Sequence, residues 1–154
     1  MLAKISKAKF DFEIIESNLP VKEIAVSLAD VGLLYPGFKN WLYFTFRAGM
    51  INNQRKIIVA HQNGEVAGLS LLKNTVEEKK ICTFYVLPEF RGYGLGGDLM
   101  SKSLQILDRN GIEITVSEER HEELSPLLSS SGFTLVSVKS DYYRNGKDEI
   151  FYKL

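Results

Sequence analysis

The sequence lacks several features that would each assign it to a definite class of protein. Its 154 residues contain one cysteine, Cys82, which excludes an internal disulfide and most zinc sites built from cysteine ligands. Its two histidines do not make a metal site, and we expect none. No apolar run is long enough to span a bilayer, so we expect no membrane-spanning segment.

The chain also lacks an excess of charge of either sign. Its 19 lysine and arginine side chains are balanced by 19 aspartate and glutamate side chains. This balance argues against nucleic acid and anionic membranes as partners, because neither would be attracted to the protein as a whole. The N-terminal segment MLAKISKAKFDF has lysines but no apolar stretch of the signal-peptide type, so we expect a soluble protein of the reducing cytoplasm.

Nothing in the sequence marks a boundary between domains. There is no internal repeat, low-complexity tract or linker rich in proline and serine. A chain of 154 residues is long enough to bury a core of its own. We therefore expect residues 1–154 to form a single domain.

The hydropathy pattern predicts an α/β fold with a mixed sheet and the element order β-α-α-β-β-β-α-β-α-β-β. Apolar residues alternate in the predicted strands and recur at helical spacing in the predicted helices. We expect Asn18 to cap the first helix and Gly32 to end it. The predicted strands lie near residues 10–14, 56–61, 65–73, 79–87, 112–116, 133–140 and 149–154, and the predicted helices near 20–31, 38–50, 95–109 and 124–131.

Two connections in this order predict the topology of the sheet. Asn63-Gly64 stands between two predicted strands and is a strong hairpin signal, so the first half of the sheet should be antiparallel. The strand–helix–strand unit over residues 79–116 predicts one parallel, right-handed crossover. In open α/β sheets, ligands bind beyond the C-terminal end of such strands.

A cluster of glycines lies at this crossover. Gly92, Gly94, Gly96 and Gly97 fall within six residues, directly before the third predicted helix. Successive main-chain N–H groups in a tight loop form a concave anion site, and the positive end of the following helix dipole adds to it. Arg91 contributes a permanent positive charge at the start of the loop. The loop is therefore expected to bind a phosphate or pyrophosphate.

The loop matches the two common nucleotide-binding motifs poorly. A Walker A loop requires lysine and then serine or threonine after its last glycine, whereas this sequence continues with DL. The spacing of Gly92, Gly94 and Gly97 matches the dinucleotide fingerprint, but residues 87–91 separate these glycines from the strand, and antiparallel strands precede it. A glycine-rich turn without a ligand would explain one or two of the glycines, but hardly all of them.

The loop and its surroundings resemble a known family. The segment RGYGLG, residues 91–96, resembles the Arg/Gln-x-x-Gly-x-Gly/Ala signature of the GNAT superfamily of N-acetyltransferases. FYVLPEF, residues 84–90, resembles the lead-in to that signature. The Asn-Gly hairpin upstream, Gly132-Phe133 after the last helix and the β-rich C-terminal part extend the resemblance over nearly the whole chain, and it is weakest over residues 35–55. The resemblance implies a GNAT-like acyl-CoA N-acyltransferase fold.

The resemblance also implies acetyl-CoA as the cofactor. Main-chain groups near Tyr85 and Val86 would pair with the pantetheine arm like an added strand, and the amides of residues 91–97 would hold the pyrophosphate. A main-chain N–H group near Phe84 would polarise the thioester carbonyl. The implied cofactor-binding residues are Phe84, Tyr85, Val86, Arg91, Gly92, Tyr93, Gly94, Leu95, Gly96 and Gly97.

The groups that would move protons are less well defined. Many relatives carry a tyrosine four residues before the Gly-Phe pair, as general acid to the thiolate, but this chain has Leu128 there. Solvent could protonate the thiolate instead, or His121 could, since its ordinary pKa suits proton transfer near neutral pH; Tyr142 and Tyr143 are further candidates. Glu118 is the candidate base, although an acidic residue at a helix N-terminus also favours the helix dipole.

The acceptor is expected on the other face of the sheet. Tyr35 and Phe38 lie between the first two predicted helices, where relatives form one wall of the acceptor site. The resemblance implies transfer of an acetyl group to a primary amine, of a small molecule or a peptide, by direct attack in a ternary complex. Two alternatives stay open: a non-catalytic acyl-CoA-binding module, and an interaction protein that retains the fold. Neither the acceptor nor the oligomeric state can be predicted from the sequence.

Overall fold

The computed structural model describes residues 9–154, which form one seven-stranded sheet with helices on both faces. The strands are β1 Asp11–Ile15, β2 Arg55–Gln62, β3 Glu65–Asn74, β4 Lys79–Val86, β5 Ile112–Ser117, β6 Thr134–Ser140 and β7 Asp148–Lys153. The helices are α1 Val21–Ser27, α2 Ala29–Leu34, α3 Phe38–Asn40, α4 Arg47–Ile51, α5 Leu95–Ile106 and α6 His121–Ser130. A π-helical segment, Trp41–Phe46, joins α3 to α4, and a 3₁₀ turn, Pro88–Phe90, follows β4. The predicted α/β fold class is confirmed.

The strands are arranged in the order β1-β2-β3-β4-β5-β7-β6. All neighbouring pairs are antiparallel except β4 and β5, which are parallel and are joined through α5. The predicted hairpin between β2 and β3 is confirmed, since Asn63 and Gly64 both have positive φ angles, 51° and 79°, as a tight hairpin turn requires.

The pairing of β4 with β5 is short. It covers three residue pairs, from Lys79 with Ile112 to Ile81 with Ile114, although both strands continue beyond these residues. On its other side β4 carries a bulge, where Cys82 is the extra residue opposite the β3 pair Leu71 and Leu72. The two parallel strands therefore separate from Cys82 onward and leave a gap in the sheet.

Each face of the sheet has its own core. Alternate residues of β2 belong to different clusters: Ile58 packs with α5 and α6, whereas Ile57 and Val59 pack with the helices that precede β2. Leu99 and Phe46, one on each side, are fully buried. Burial of such a side chain contributes roughly 1.5–3 kcal/mol to the stability of the fold. Packing of the helices on both faces therefore stabilises the sheet on either side of the gap.

Two predictions about the first helix are wrong. Asn18 does not cap it: α1 begins at Val21, its N-cap is Pro20, and no side chain makes a capping hydrogen bond there. Gly32 does not end it either: α1 ends at Ser27, and a separate helix, α2, runs through this glycine to Leu34. A glycine inside a helix costs only about 1 kcal/mol, and packing of the neighbouring residues outweighs that cost.

Two kinds of feature are absent from the described part of the chain. None of the helices over residues 9–154 is both long and apolar enough to cross a membrane. Within the same part of the chain, no group of three or more His, Cys, Asp or Glu side chains could hold a metal ion.

Candidate active site

The glycine loop, residues 91–97, connects the 3₁₀ turn after β4 to the N-terminus of α5. Gly94 is the N-cap of this helix and has a φ of 82°, a conformation that residues with a Cβ rarely adopt. No side chain caps the helix, so the N–H groups of its first turn lack hydrogen-bond partners within the helix. The loop thus presents main-chain donors at the positive end of a helix dipole.

The space beside the loop is open. A Cβ atom placed on Gly92 or on Gly97 would meet no heavy atom within 4 Å, so the main chain is accessible at both positions. A cavity of about 220 Å³ lies against the loop and extends along β4 past Val86 and Phe84. We call it the loop cavity. Its position next to the loop and its extension along β4 suit a phosphate followed by an extended arm.

Arg91 is engaged by the protein itself. Its Nε donates a hydrogen bond to the main-chain oxygen of Val86 at 2.9 Å, and its Nη2 lies 2.8 Å from Oε1 of Glu123. Its guanidinium also stacks on the ring of Tyr85, 5.5 Å from the centroid. Arg91 therefore braces the loop against β4 and α6, and its guanidinium is already engaged within the protein.

Arg120 lies across the gap between β4 and β5 and was not singled out from the sequence. Its Nη2 donates to the main-chain oxygen of Phe84 at 2.7 Å, and its Nε donates to Oε2 of Glu123 at 3.0 Å. Its guanidinium carbon lies 5.3 Å from the centroid of the Tyr85 ring. The Tyr85 hydroxyl in turn donates to Asp30 at 2.7 Å, and burial together with this bond raises the pKa of Tyr85 to about 12.

A second cavity, of about 330 Å³, lies on the face covered by α1 to α4. We call it the acceptor cavity. Tyr35 and Phe38 line it, as does Ser117 at the end of β5. It shares three residues with the loop cavity, namely Phe84, Arg120 and Leu124. The two cavities therefore meet where β4 and β5 separate.

A buried carboxyl group lies in the wall of the acceptor cavity. Glu149 of β7 is 2% exposed, and the Tyr35 hydroxyl donates to its two carboxylate oxygens at 3.1 and 3.0 Å. Burial raises the pKa of Glu149 above its ordinary value. Burial, with the neighbouring carboxylate of Glu149, also raises the pKa of Tyr35, so the phenol stays protonated. The guanidinium carbon of Arg144 lies over the Tyr35 ring, 5.4 Å from the ring centroid.

Of the residues proposed from the sequence for proton transfer, Glu118, His121 and Tyr142 lie outside both cavities, whereas Tyr143 lines the acceptor cavity. Oε1 of Glu118 accepts a hydrogen bond from the main-chain N–H of Asp148 at 2.7 Å, in an exposed position. Nε2 of His121 lies 2.6 Å from the hydroxyl of Tyr152. Leu128 is fully buried in the core beneath α6. The structure thus brings Tyr35 and Phe38 to the acceptor cavity and gives Glu118 and His121 other partners.

The sequence analysis missed Glu149 and Arg120, for different reasons. In β7, Glu149 alternates with Ile150 and Tyr152, which are buried on the opposite face, so the pattern resembles that of a strand with one solvated side. Its burial depends on Tyr35, which is distant in sequence. Arg120 stands in a run of charged residues at a helix start and carries no signal of its own.

Comparison with known proteins agrees with this geometry. The family model described as an acetyltransferase (GNAT) domain matches residues 36–154. The [ribosomal protein bS18]-alanine N-acetyltransferase of Haemophilus influenzae is 24% identical over 83 residues, which cover 53% of this chain and 57% of that protein. The chain thus matches little more than half the length of this relative.

Two solved structures share the fold over nearly the whole chain. A GNAT-family protein from Desulfovibrio desulfuricans superimposes with a TM-score of 0.77 at 15% identity, over 95% of this chain and 98% of that one. A Bacillus subtilis acetyltransferase in complex with CoA has a TM-score of 0.68 at 18% identity, over 95% and 98% of the two chains. The resemblance predicted from the loop sequence is confirmed: this chain belongs to the GNAT family of acetyltransferases.

Proposed function

We propose that this chain transfers the acetyl group of acetyl-CoA to a primary amine, by direct attack within a ternary complex. The observation that carries the proposal is the meeting of two cavities at the gap between β4 and β5. One cavity adjoins a loop of main-chain donors, and the other contains polar side chains on the opposite face. A donor and an acceptor entering from the two faces would meet at this gap.

The loop side suits CoA. The main-chain N–H groups of residues 91–97 would hold the pyrophosphate, and the separated part of β4, Phe84 to Val86, would pair with the pantetheine arm. A related acetyltransferase of the same fold binds CoA, which supports this assignment. Acetyl-CoA supplies the acetyl group in activated form, as a thioester. A main-chain N–H group near Phe84 would polarise its carbonyl.

Transfer also requires that the amine be neutral and that the departing thiolate gain a proton. Leu128 cannot donate one and is buried in the core, so we infer that solvent protonates the thiolate. His121 is the protein group that could replace solvent, if its hydrogen bond with Tyr152 opens. Glu118 could accept the proton of the amine only through water, because it lies outside the acceptor cavity.

The experiment is a measurement of thiol release from acetyl-CoA with a panel of amines. The panel should include a peptide with an N-terminal alanine, since a relative acetylates an alanine of a ribosomal protein. We expect at least one member to be acetylated, with the product confirmed by mass spectrometry. Binding of acetyl-CoA without acetylation of any amine would favour the alternative of a non-catalytic acyl-CoA-binding module, which the absence of a tyrosine at Leu128 makes worth testing.

A further inference from the structure

The acceptor cavity holds charged side chains that are not paired with one another. Within residues 9–154, Glu149 has no cationic nitrogen within 4.0 Å, and Arg55 and Lys80 have no carboxylate oxygen within that distance. All three residues line the cavity. Charged groups that are removed from water are normally paired, so this arrangement suggests that a ligand completes it.

The other charged residues of the cavity do have partners. Nζ of Lys73 lies 3.1 Å from Oε1 of Glu78, so these two side chains neutralise each other. Arg120 lies 3.0 Å from Glu123 and donates to the Phe84 carbonyl. Arg91 shares the Glu123 carboxylate with Arg120, so these three groups together keep one positive charge. Among the charged residues that line the cavity, Glu149, Arg55 and Lys80 are the ones without an ion-pair partner in residues 9–154.

The acidic end of the cavity adjoins the gap in the sheet. Glu149 pairs in register with Ser117, the last residue of β5. Ser117 is 1% exposed, and among the described residues its hydroxyl has no hydrogen-bond partner of ordinary geometry, although Tyr35 is close by. A carboxylate and a free hydroxyl oxygen can accept hydrogen bonds from an ammonium group, which has three N–H donors on one nitrogen.

The basic end lies further from the gap, at the start of β2 and β4. The Arg55 guanidinium is held by the Trp41 and Phe46 rings, with its central carbon 5.6 and 5.3 Å from their centroids, and its Nη1 lies 3.5 Å from Sγ of Cys82. Nζ of Lys80 donates to the hydroxyl of Tyr143 at 3.3 Å. A fixed guanidinium presents paired N–H groups that match a carboxylate, and a lysine nearby adds charge.

We propose that the acceptor is a small amine that also carries a carboxylate. This inference rests on the proposed function and specifies its substrate. The ammonium would bind at Glu149 and Ser117 beside the gap, and the carboxylate would bind between Arg55 and Lys80. The volume of about 330 Å³ lies at the small end of the range for small-molecule sites, roughly 300–1,000 Å³. An amine without the carboxylate would leave both cations unpaired in a partly dehydrated site.

With the ammonium bound at Glu149, the Glu149 carboxylate is the proton acceptor. One proton of the ammonium passes to the Glu149 carboxylate, and the neutral nitrogen then forms the bond to the acetyl carbon. The bond between that carbon and sulfur breaks, and the sulfur takes its proton from solvent. The second proton lost by nitrogen goes to solvent, and Glu149 then releases its own proton to solvent, which restores the carboxylate. The sulfur takes up one of these two protons, so the overall products are the amide, the free thiol and one proton.

The test compares each amino acid with its own amide, because the two differ only in the carboxylate. Glycine, L-alanine, β-alanine and 4-aminobutyrate are paired with their amides, and a short peptide with an N-terminal alanine and 2-aminoethyl phosphate complete the panel. Thiol release gives kcat/KM, and calorimetric titration into the CoA-saturated protein gives the affinity. We expect at least one amino acid to exceed its amide by about tenfold to hundredfold, the usual value of a hydrogen-bonded charge.

Lys80→Met should reduce the preference for the amino acid over its amide to within a few-fold. The matched control, Lys79→Met, should leave the preference unchanged, because Lys79 neighbours Lys80 on the same strand and lies outside the cavity.

If the amides or the peptide are acetylated as well as every amino acid, the inference is overturned and the proposed function still stands. Preferential binding of an amino acid without acetylation would support the inference and count against the proposed function. A stronger response to 2-aminoethyl phosphate than to any amino acid would overturn the choice of a carboxylate. Absence of binding by all amino acids would overturn the inference in any case.

Discussion

The two sides of the gap between β4 and β5 are built from different parts of the chain. On the proposed cofactor side, the donors would be main-chain groups of consecutive residues, 91–97. On the acceptor side, the polar groups are side chains from separate elements, and Tyr35 and Glu149, which share a hydrogen bond, are 114 positions apart. Most substitutions keep the main-chain N–H group of the residue, whereas a single substitution removes a side-chain group. Cofactor binding should therefore depend on backbone conformation, and acceptor chemistry on individual side chains.

The largest expected effect is on the acceptor side. Glu149→Gln keeps the shape and the hydrogen bond with Tyr35 but removes the proton acceptor, so we expect kcat/KM for the acceptor to fall about a hundredfold or more. The dissociation constant of acetyl-CoA should not change. Glu118→Gln is the matched comparison, with an expected change of a few-fold. If Glu118→Gln causes the large loss and Glu149→Gln does not, the base is the residue proposed from the sequence.

The next effect is on the cofactor side. Gly94→Val forces a β-branched residue to a φ of 82°, and such strain costs about 1–3 kcal/mol. We expect calorimetric titration to show acetyl-CoA binding weakened by about tenfold to hundredfold. Gly64→Val is the control, because that glycine has a φ of 79° in the β2–β3 turn, outside the loop cavity. Arg91→Ala should weaken binding less than Gly94→Val, since the main chain remains. Unchanged affinity in Gly94→Val would refute a phosphate site in the loop.

A smaller effect is expected at Tyr35. Tyr35→Phe removes the hydroxyl that donates to Glu149 and keeps the ring under Arg144, so kcat/KM for the acceptor should fall about tenfold, the value of a hydrogen bond to a charged group. Phe38→Ala should raise the KM of the acceptor. Acetyl-CoA affinity should stay constant in both variants. If both fold normally and acetylate the acceptor at the parent rate, these side chains do not form its wall.

The smallest effect is on stability, and its sign separates a functional carboxylate from a structural one. Burial raises the pKa of Glu149 above 4.5, so the folded protein binds this proton more tightly than the unfolded chain. The resulting stability is fully present below that ordinary pKa and is lost as the pH rises through the folded pKa. Hydrogen bonds from Thr115 and Tyr35, and the positive charges of Arg144 and Lys80, limit the rise in the pKa of Glu149 and so limit the loss.

We therefore measure the free energy of unfolding of Glu149→Gln and of the parent with urea. The difference, variant minus parent, should be more positive at about pH 7 than at about pH 4. A variant that loses activity and yet gains relative stability at neutral pH would identify Glu149 as a group kept for chemistry. A relative loss of stability at neutral pH would instead indicate that its role is structural.

The same difference between the two sides explains what could be predicted from the sequence. The loop was predictable because its function depends on glycine spacing and on an adjacent helix, which are local properties. The antiparallel first half of the sheet and its one parallel crossover were predictable for the same reason, from the Asn63-Gly64 turn and the strand–helix–strand unit. The burial of Glu149 was not predictable. Which face of β7 is buried depends on its contact with Tyr35 at the end of α2, which is distant in sequence. Arg120 reaches Phe84 across the gap, and that separation arises only when β4 and β5 part after Ile81.

The errors at the first helix have a related cause. Asn18 and Gly32 were assigned from local propensities, which are worth about 1 kcal/mol or less each. Buried contacts of Ile24, Leu28 and Val31 against the sheet outweigh them. Local preferences therefore located the elements approximately, but they failed at the ends of the first helix and did not predict the break at Leu28 between α1 and α2.

The arrangement of the two sides is tested most directly by assigning the backbone amide resonances and following them by NMR during two successive titrations. CoA added first should shift amides of β4 beyond Cys82 and of the loop, residues 91–97. An amino acid that the acceptor panel identifies, added at CoA saturation, should shift Tyr35, Ser117 and Glu149 and leave the loop unchanged. Shifts of the same residues by both ligands, or an unperturbed loop in the presence of bound CoA, would contradict the placement of cofactor and acceptor on opposite faces of the sheet.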